Sequence, residues 1–238
     1  MENAKAGVIL YSQPPENRLL KNPYLSKKCI AMKPFHVTLI SLGVLFQLPI
    51  WAESQIRMPR FFSSNMVLQQ NADVTLWGWS SPSEKILITT SWNAKTDSTT
   101  ASRDAKWSKV VHTPAAGGPF TITLQASNTV TLENVLIGEV WVLSGQSNME
   151  WSALNNNKQA QDEAPNALNP NLRLFQVPKT TAPYPQDDCP GEWKVCNPDD
   201  MRRFSTIGYF FGKRLHEELK VPIGLINASW GGTPAEVW

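Results

Sequence analysis

A serine follows a run of strand-forming residues in the segment V-L-S-G-Q-S-N-M-E-W, which extends from Val142 to Trp151. A second small polar loop, S-W-G-G-T from Ser229 to Thr233, also follows a short apolar run. A serine at the end of a strand, such as Ser147, can be exposed for attack on a substrate. Glycines lack Cβ atoms, so they let backbone N–H groups approach a developing oxyanion. If Ser147 is a nucleophile, the two loops together would suit attack at a carbonyl group.

The residues around Ser147 leave two interpretations open. The nucleophile of α/β-hydrolases lies in the pattern G-x-S-x-G, but Met149 stands here where the second glycine is required. Serine and asparagine are also common caps between a strand and a helix. Ser147 is therefore either a nucleophile or a strand-to-helix cap.

A serine nucleophile needs a base that accepts its proton. The chain has three histidines: His36 in an apolar N-terminal segment, His112 in a region of predicted strands, and His216 in a predicted helix. We expect His216 to lie on a solvated helix face. The sequence therefore offers Ser147 no recognisable base.

The first region that supports these loops has the pattern of an all-β domain. From Ile56 to about Gly138, β-branched and aromatic residues alternate with polar ones, and we predict strands at 74–79, 86–90, 107–111 and 120–124. The favoured architecture is a β-sandwich domain over residues 53–138. Its tryptophans fall on strands, so we expect them in the core rather than on a sugar-binding surface.

The second region, residues 139–238, has the pattern of a partial α/β domain. The near-continuous apolar run at 139–144 predicts a strand buried on both faces, and the polar stretch 152–203 predicts long connections. A helix is predicted over Ser205 to Leu219 and a strand over Ile223 to Asn227. Ligands of open α/β sheets gather at the carboxyl ends of strands, so both polar loops are expected at one edge.

The N-terminus has the layout of a secretory signal peptide at 32–52. Met32 and Lys33 precede a mostly apolar segment from Val37 to Ile50, which ends before Ala52. The alternatives for this apolar segment are a permanent membrane anchor and a buried core helix. Residues 1–31 would then be an upstream mistranslation, and the mature protein would be secreted or periplasmic, with no stable membrane span.

The charge pattern excludes some partners. The chain has 22 Lys and Arg against 20 Asp and Glu, and residues 1–52 contain six of the former and two of the latter. The basic excess disappears on processing, so we expect no nucleic-acid partner. Cys189 and Cys196 could form a disulfide in an oxidising compartment, or remain free thiols. No Cys/His cluster has metal-ligand spacing, and we expect no metal and no cofactor.

Several ordered motifs carry a family resemblance. They are G-Q-S-N-M at 145–149, F-S-T-I-G-Y-F-F-G at 204–212, P-I-G-L-I-N at 222–227 and S-W-G-G-T-P-A-E-V-W at 229–238. The chain from about Ile56 to Trp238 resembles the sialate O-acetylesterase family of SGNH-type hydrolases. Residues 58–70 resemble the segment that opens the β-domain of its bacterial members. The resemblance implies a flavodoxin-like, three-layer catalytic domain.

The resemblance also implies an enzyme that removes acetyl groups from sugar hydroxyls through an acyl-enzyme. It makes Ser147 the nucleophile and one oxyanion donor, with Gly231 as the second donor and Gly232 as a further candidate. An O-acetylated sugar or glycan would be the substrate, and the oligomeric state stays open. Gln146, Asn148 and Glu236 flank the site, where each either orients the substrate or makes a cap or loop hydrogen bond.

The chain departs from the family pattern in its later motifs. A Q-G-E block and a D-x-x-H block, which supply an oxyanion donor and the base, have no counterpart here. We expect a chain truncated after the second catalytic motif and weak or no activity from it alone. The alternatives are an acetylxylan-type polysaccharide deacetylase and a non-catalytic carbohydrate-binding β-sandwich fragment.

Overall fold

The computed structural model describes residues 55–234. The predicted signal peptide at 32–52 and the proposed substrate residue Glu236 therefore lie outside the described residues. Between residues 55 and 234, every helix is too short or too polar to cross a membrane.

The described chain is rich in strands. They are β1 Val67–Gln69, β2 Asp73–Trp79, β3 Lys85–Thr90, β4 Lys95–Thr100, β5 Lys106–His112, β6 Gly117–Gln125, β7 Thr129–Leu143, β8 Asn169–Gln176, β9 Trp193–Cys196 and β10 Ile223–Asn227. The helices are α1 Ser147–Glu150, α2 Lys158–Glu163, α3 Pro198–Arg203 and α4 Thr206–Leu219. Strands β2, β3, β5 and β6 confirm the four predicted from alternation.

The strands form one large mixed sheet and one small sheet. The large sheet has the order β4-β3-β6-β7-β10-β8-β9, with β1 parallel to β7, and β2 pairs with β5 in the small sheet. Leu76 and Trp107 of the small sheet share a buried core with residues of the large one, including Ile86, Ile122 and Leu124. The alternating residues of the four predicted strands therefore face each other across this core. The fold is a mixed, sheet-dominated α/β fold.

Strand β7 runs through the predicted boundary at residue 138. Its first part pairs with β6, and residues 139–143 pair in parallel with β10. The backbone of Gly138 lies close to that of Pro222, the residue before β10. A Cβ atom at position 138 would lie 2.0 Å from the Pro222 carbonyl oxygen. The Glu139 N–H donates to that same oxygen at 2.9 Å. One continuous strand thus joins the region of predicted strands to the region that carries Ser147.

The stretch 152–203, predicted as long connections, contains two strands and two helices. Strand β8 pairs in parallel with β10, from Leu172 opposite Ile223 to Gln176 opposite Asn227. The sequence pattern of this strand is weak, because the charged residue Arg173 interrupts its apolar run. In the structure its buried guanidinium donates to the carbonyl oxygens of Pro170 and Asn65. The prediction was wrong because backbone acceptors satisfy this buried charge.

The prediction of a strand buried on both faces at 139–144 was also wrong. Trp141 is 41% exposed and Val142 is 66% exposed. Among the described residues, this part of β7 has β10 as its only strand partner. The ring of Trp141 lies edge-on to that of Phe211, at 5.2 Å between centroids, and α4 covers only part of the strand.

Helix α4 confirms the helix predicted at Ser205 to Leu219, as β10 confirms the strand at Ile223 to Asn227. The Ser205 hydroxyl accepts a hydrogen bond from the Gly208 N–H at 3.0 Å and caps the helix. A Cβ atom on Gly208 would lie 2.3 Å from a methyl carbon of Leu143. The helix therefore packs tightly on the end of β7, immediately before the loop of Ser147.

Candidate functional site

Three loops meet at one edge of the large sheet. They follow β7, β8 and β10, which run parallel, and backbone hydrogen bonds join them. The N–H groups of Ala228 and Trp230 donate to the carbonyl oxygens of Leu143 and Gly145, each at 2.8 Å, and the Val177 N–H donates to the Asn227 oxygen at 2.9 Å. The two polar loops singled out in the sequence therefore lie side by side, as expected.

Ser147 is the first residue of the short helix α1. Gly145, two residues earlier, has φ +127°, and a Cβ atom there would lie 3.0 Å from Met149. The sharp turn after β7 therefore requires glycine at this position. Ser147 is half-buried, and within residues 55–234 its hydroxyl and its N–H make no hydrogen bond.

The alternative interpretation of Ser147 as a cap is wrong. Gln146 occupies the N-cap position of α1, and its side chain makes no capping hydrogen bond. Gln146 and Asn148 are exposed on either side of the serine. The Ser147 hydroxyl is therefore free for another role.

Gly231 and Gly232 form a turn beside Ser147. A Cβ atom on Gly231 would lie 3.5 Å from Ser147 Cα and 2.7 Å from Oε2 of Glu150. The Gly231 N–H donates to that Glu150 carboxylate. Gly232 is exposed with φ +81°, and its N–H has no acceptor in the described part of the chain. Of the two glycines predicted as oxyanion donors, Gly232 has the unoccupied N–H group.

Glu150 and Lys179 form an ion pair at this turn, which the sequence analysis missed. The Lys179 ammonium, on the loop after β8, donates to Oε1 of Glu150. Hydrogen bonds from Lys179 and then from the Gly231 N–H lower the pKa of Glu150 below its ordinary value of 4.5. Glu150 directly follows the G-Q-S-N-M motif, which is a usable signal, whereas Lys179 has no local signal at all.

A buried polar network fixes the loop after β10. The Ser229 hydroxyl donates to Oδ1 of Asn227 at 2.8 Å, and the Asn227 amide donates to Oε1 of Gln176 at 2.9 Å. Ser229 is 1% exposed and Asn227 is 2% exposed. The network ties the ends of β8 and β10 together and so sets where the 231–232 turn begins. The sequence signal for this network was Asn227, a polar residue at the end of an apolar strand.

The two described histidines lie away from Ser147. His112 on β5 pairs with Asp73 at 3.0 Å, in the small sheet. His216 Nδ1 donates to the Val221 carbonyl oxygen at 2.7 Å, and the residue lies about 15 Å along α4 from its start. His216 is half-buried by this contact, so the expected solvated position was wrong. Within residues 55–234, neither histidine contacts the Ser147 hydroxyl.

Cys189 and Cys196 are both free thiols in the structure, which is one of the two alternatives that the sequence left open. The two side chains pack against different hydrophobic clusters. The buried Cys196 thiol donates to the Ala167 carbonyl oxygen at 3.1 Å. Burial raises the pKa of Cys196 to about 12. Within the described range, no three His, Cys, Asp or Glu side chains are arranged to hold a metal ion.

Comparisons with known proteins point to one family. The family described as "Carbohydrate esterase, sialic acid-specific acetylesterase" matches residues 137–238. Sialate O-acetylesterase of Homo sapiens is 30% identical over 220 residues, which cover 83% of this chain and 42% of that protein. The same protein of Rattus norvegicus is 28% identical, with 87% and 42% covered. The chain thus spans less than half the length of these curated relatives.

A solved structure agrees with the sequence comparisons. The crystal structure of a carbohydrate acetylesterase from Xanthomonas citri superposes with a TM-score of 0.73 and 34% sequence identity. The similarity covers 77% of this chain and 42% of that one.

Proposed function

Because the chain belongs to the sialate O-acetylesterase family, we propose that it is part of a carbohydrate esterase that hydrolyses acetyl esters of sugars. The supporting observation is Ser147, half-buried at the carboxyl end of β7 and beside the 231–232 turn. The substrate is an O-acetylated sugar or glycan. The proposed location is outside the cell or in the periplasm, after cleavage of the predicted signal peptide.

In this proposal Ser147 Oγ attacks the acetyl carbonyl carbon, and the sugar hydroxyl leaves with a proton. The acetyl group stays on Oγ until water attacks the ester and acetate leaves. The oxyanion of each tetrahedral intermediate needs N–H donors. The N–H of Ser147 is one. The 231–232 turn supplies another, and Gly232 can donate without breaking a bond, whereas Gly231 already donates to Glu150.

The activity of this chain is limited by removal of the proton from the Ser147 hydroxyl. A serine hydroxyl is a weak nucleophile until a base removes its proton. No side chain in the described residues accepts a hydrogen bond from Ser147. The proposed activity of residues 1–238 alone is therefore weak, and Gln146 and Asn148 are the exposed side chains proposed to contact the sugar.

The binding-module alternative has no comparable support. Trp107 is 3% exposed within the core between the two sheets, and Trp77 and Trp79 are half-buried against other aromatic rings. A two-layered β-sandwich over residues 53–138 is proposed as the structural support of the catalytic part. No tryptophan platform for a sugar emerges from these rings.

The test is acetate release from O-acetylated sialic acid and from acetylated xylan, by wild type, Ser147→Ala and Ser144→Ala. Ser144 is an exposed serine three residues away and serves as the matched control. We expect slow release that Ser147→Ala abolishes and Ser144→Ala preserves, with sialic acid preferred. Equal release by wild type and Ser147→Ala would overturn the proposal, and a preference for xylan would overturn its substrate.

A further inference from the structure

One carboxylate connects all three loops at the edge of the sheet. Glu150 is the last residue of α1, the helix that begins with Ser147. One of its oxygens accepts from the Gly231 N–H, on the loop after β10. Its other oxygen accepts from Lys179, on the loop after β8. Each loop follows a different strand, so the Glu150 side chain joins all three.

Glu150 packs closely against the turn at Gly231. The space beside Gly231 is filled by Glu150 and by the backbone of Ser147, so any larger residue would displace the turn. The side chains of Glu150 and Lys179 are 30% and 42% exposed, which leaves the pair partly in water. Such a pair adds little to overall stability. Its effect on the position of a loop can still be large, because charge-assisted hydrogen bonds are directional.

We propose that Glu150, held by Lys179, is a positioning residue that fixes the 231–232 turn against the Ser147 helix. This inference rests on the proposed esterase function, in which that turn supplies an oxyanion donor. The carboxylate takes the Gly231 N–H and thereby leaves the Gly232 N–H for the oxyanion. Lys179 is the charged group that faces the carboxylate and balances its charge next to the developing oxyanion.

A competing role makes the opposite prediction. If the Glu150 carboxylate merely blocked the Gly231 N–H, its removal would free an oxyanion donor and raise the rate. If it positions the turn, its removal lets the turn move, and misplacement of a catalytic donor by about 1 Å costs about 100-fold.

The first experiment follows glycine amides by NMR in protein labelled with ¹⁵N-glycine, which has 13 signals. Loss of one signal in Gly231→Ala assigns Gly231. We expect the Gly231 amide proton to move upfield in Glu150→Gln, and in wild type to titrate with a midpoint below 4.5. Lys179→Met should raise that midpoint, and Lys179→Arg should restore it. Lys158→Met, which removes an exposed lysine from another ion pair, is the control.

The second experiment measures acetyl-ester hydrolysis with the same variants. We expect Glu150→Gln and Lys179→Met to lower kcat at least tenfold with KM within about twofold, and Lys179→Arg to recover most of the rate. An unmoved Gly231 signal in Glu150→Gln would overturn the inference, as would an unchanged or faster kcat. If wild type shows no hydrolysis that depends on Ser147, the proposed function is overturned. The Gly231 signal still decides, independently of activity, whether the hydrogen bond between Glu150 and Gly231 exists.

Discussion

Substitution of Gly138 by alanine tests how β7 joins the two parts of the sheet. A Cβ atom at this position would lie 2.0 Å from the carbonyl oxygen of Pro222 and 2.7 Å from its carbonyl carbon. The obstacle is backbone, so no side-chain rotation can relieve it. Either β7 or the start of β10 must shift, and the 2.9 Å hydrogen bond from Glu139 to Pro222 is lost with that shift.

The expected cost combines two effects. Overpacking of a well-packed site typically costs about 1–3 kcal/mol. A buried backbone group left without its partner adds about 1–3 kcal/mol. We therefore expect Gly138→Ala to lower the free energy of unfolding by about 2–6 kcal/mol. For a domain of this size, that corresponds to a fall in Tm of roughly 4–24 °C.

Thermal and urea unfolding monitored by circular dichroism measure this change. Gly117→Ala is the matched control, because Gly117 pairs with Ile137 in the same sheet and a Cβ atom there would lie 3.8 Å from the nearest atom. We expect the control to stay within about 1 kcal/mol of wild type. Equal midpoints for Gly138→Ala and Gly117→Ala would refute the close approach of β7 to Pro222.

Three further predictions concern buried polar groups and thiols. Arg173→Met removes a buried guanidinium and leaves its carbonyl acceptors without donors, so we expect about 1–3 kcal/mol of destabilisation in urea titrations, while the exposed Arg202→Met stays near wild type. Burial opposes ionisation of Glu163, but hydrogen bonds from Lys213 and Tyr209 outweigh it and lower the pKa of Glu163. The stability that ionised Glu163 provides is therefore present above its ordinary pKa of 4.5 and is lost as the pH falls through the lower folded value. The excess stability of wild type over Glu163→Gln should shrink below pH 4.5, and a constant difference would contradict this contribution. Iodoacetamide should alkylate Cys189 in the native protein and Cys196 only after unfolding, and a peptide that links the two cysteines in a non-reducing digest would show that the disulfide forms.

Sequence patterns predicted the elements whose signals are local. The helix from Ser205 to Leu219 has both a capping serine and apolar residues at helical spacing, and it forms as expected. Strand β10 and the strands around Trp77, Ile88, Trp107 and Ile122 have uninterrupted alternation or apolar runs. In the strands, Leu76, Ile86, Ile88, Trp107, Ile122 and Leu124 enter the core. In α4 the apolar residues at helical spacing stay largely exposed, with Ile207 at 49% and Leu219 at 51%, and the buried face is formed by Thr206, Gly208, Tyr209 and Gly212.

The features that the sequence did not predict depend on distant partners. Arg173 lies in β8 because carbonyl groups far away in the chain accept its hydrogen bonds. Strand β7 passes Gly138 with its backbone close to Pro222, which lies 84 residues away in the chain and immediately precedes the neighbouring strand β10. The exposed face of Trp141 depends on which strands lie beside β7, and a buried pattern alone does not contain that information.

The same distinction applies to the candidate site. The loops of Ser147 and Gly231 were predicted at one edge because both follow strands of a parallel sheet, and backbone hydrogen bonds join them there. The partner of Glu150 could not be predicted, because Lys179 lies 29 residues away on a third loop. The buried network of Ser229, Asn227 and Gln176 is equally nonlocal.

The most direct test of the central claim is to locate the acetyl group on the enzyme. The chain is incubated with an activated acetyl ester and with imidazole as an added base, then quenched in acid and digested for mass spectrometry. We expect one acetyl group on the peptide that contains Ser147, lost in Ser147→Ala and kept in Ser144→Ala. Acetylation spread over lysines and other serines, with Ser147 unmodified, would contradict the assignment of Ser147 as the nucleophile.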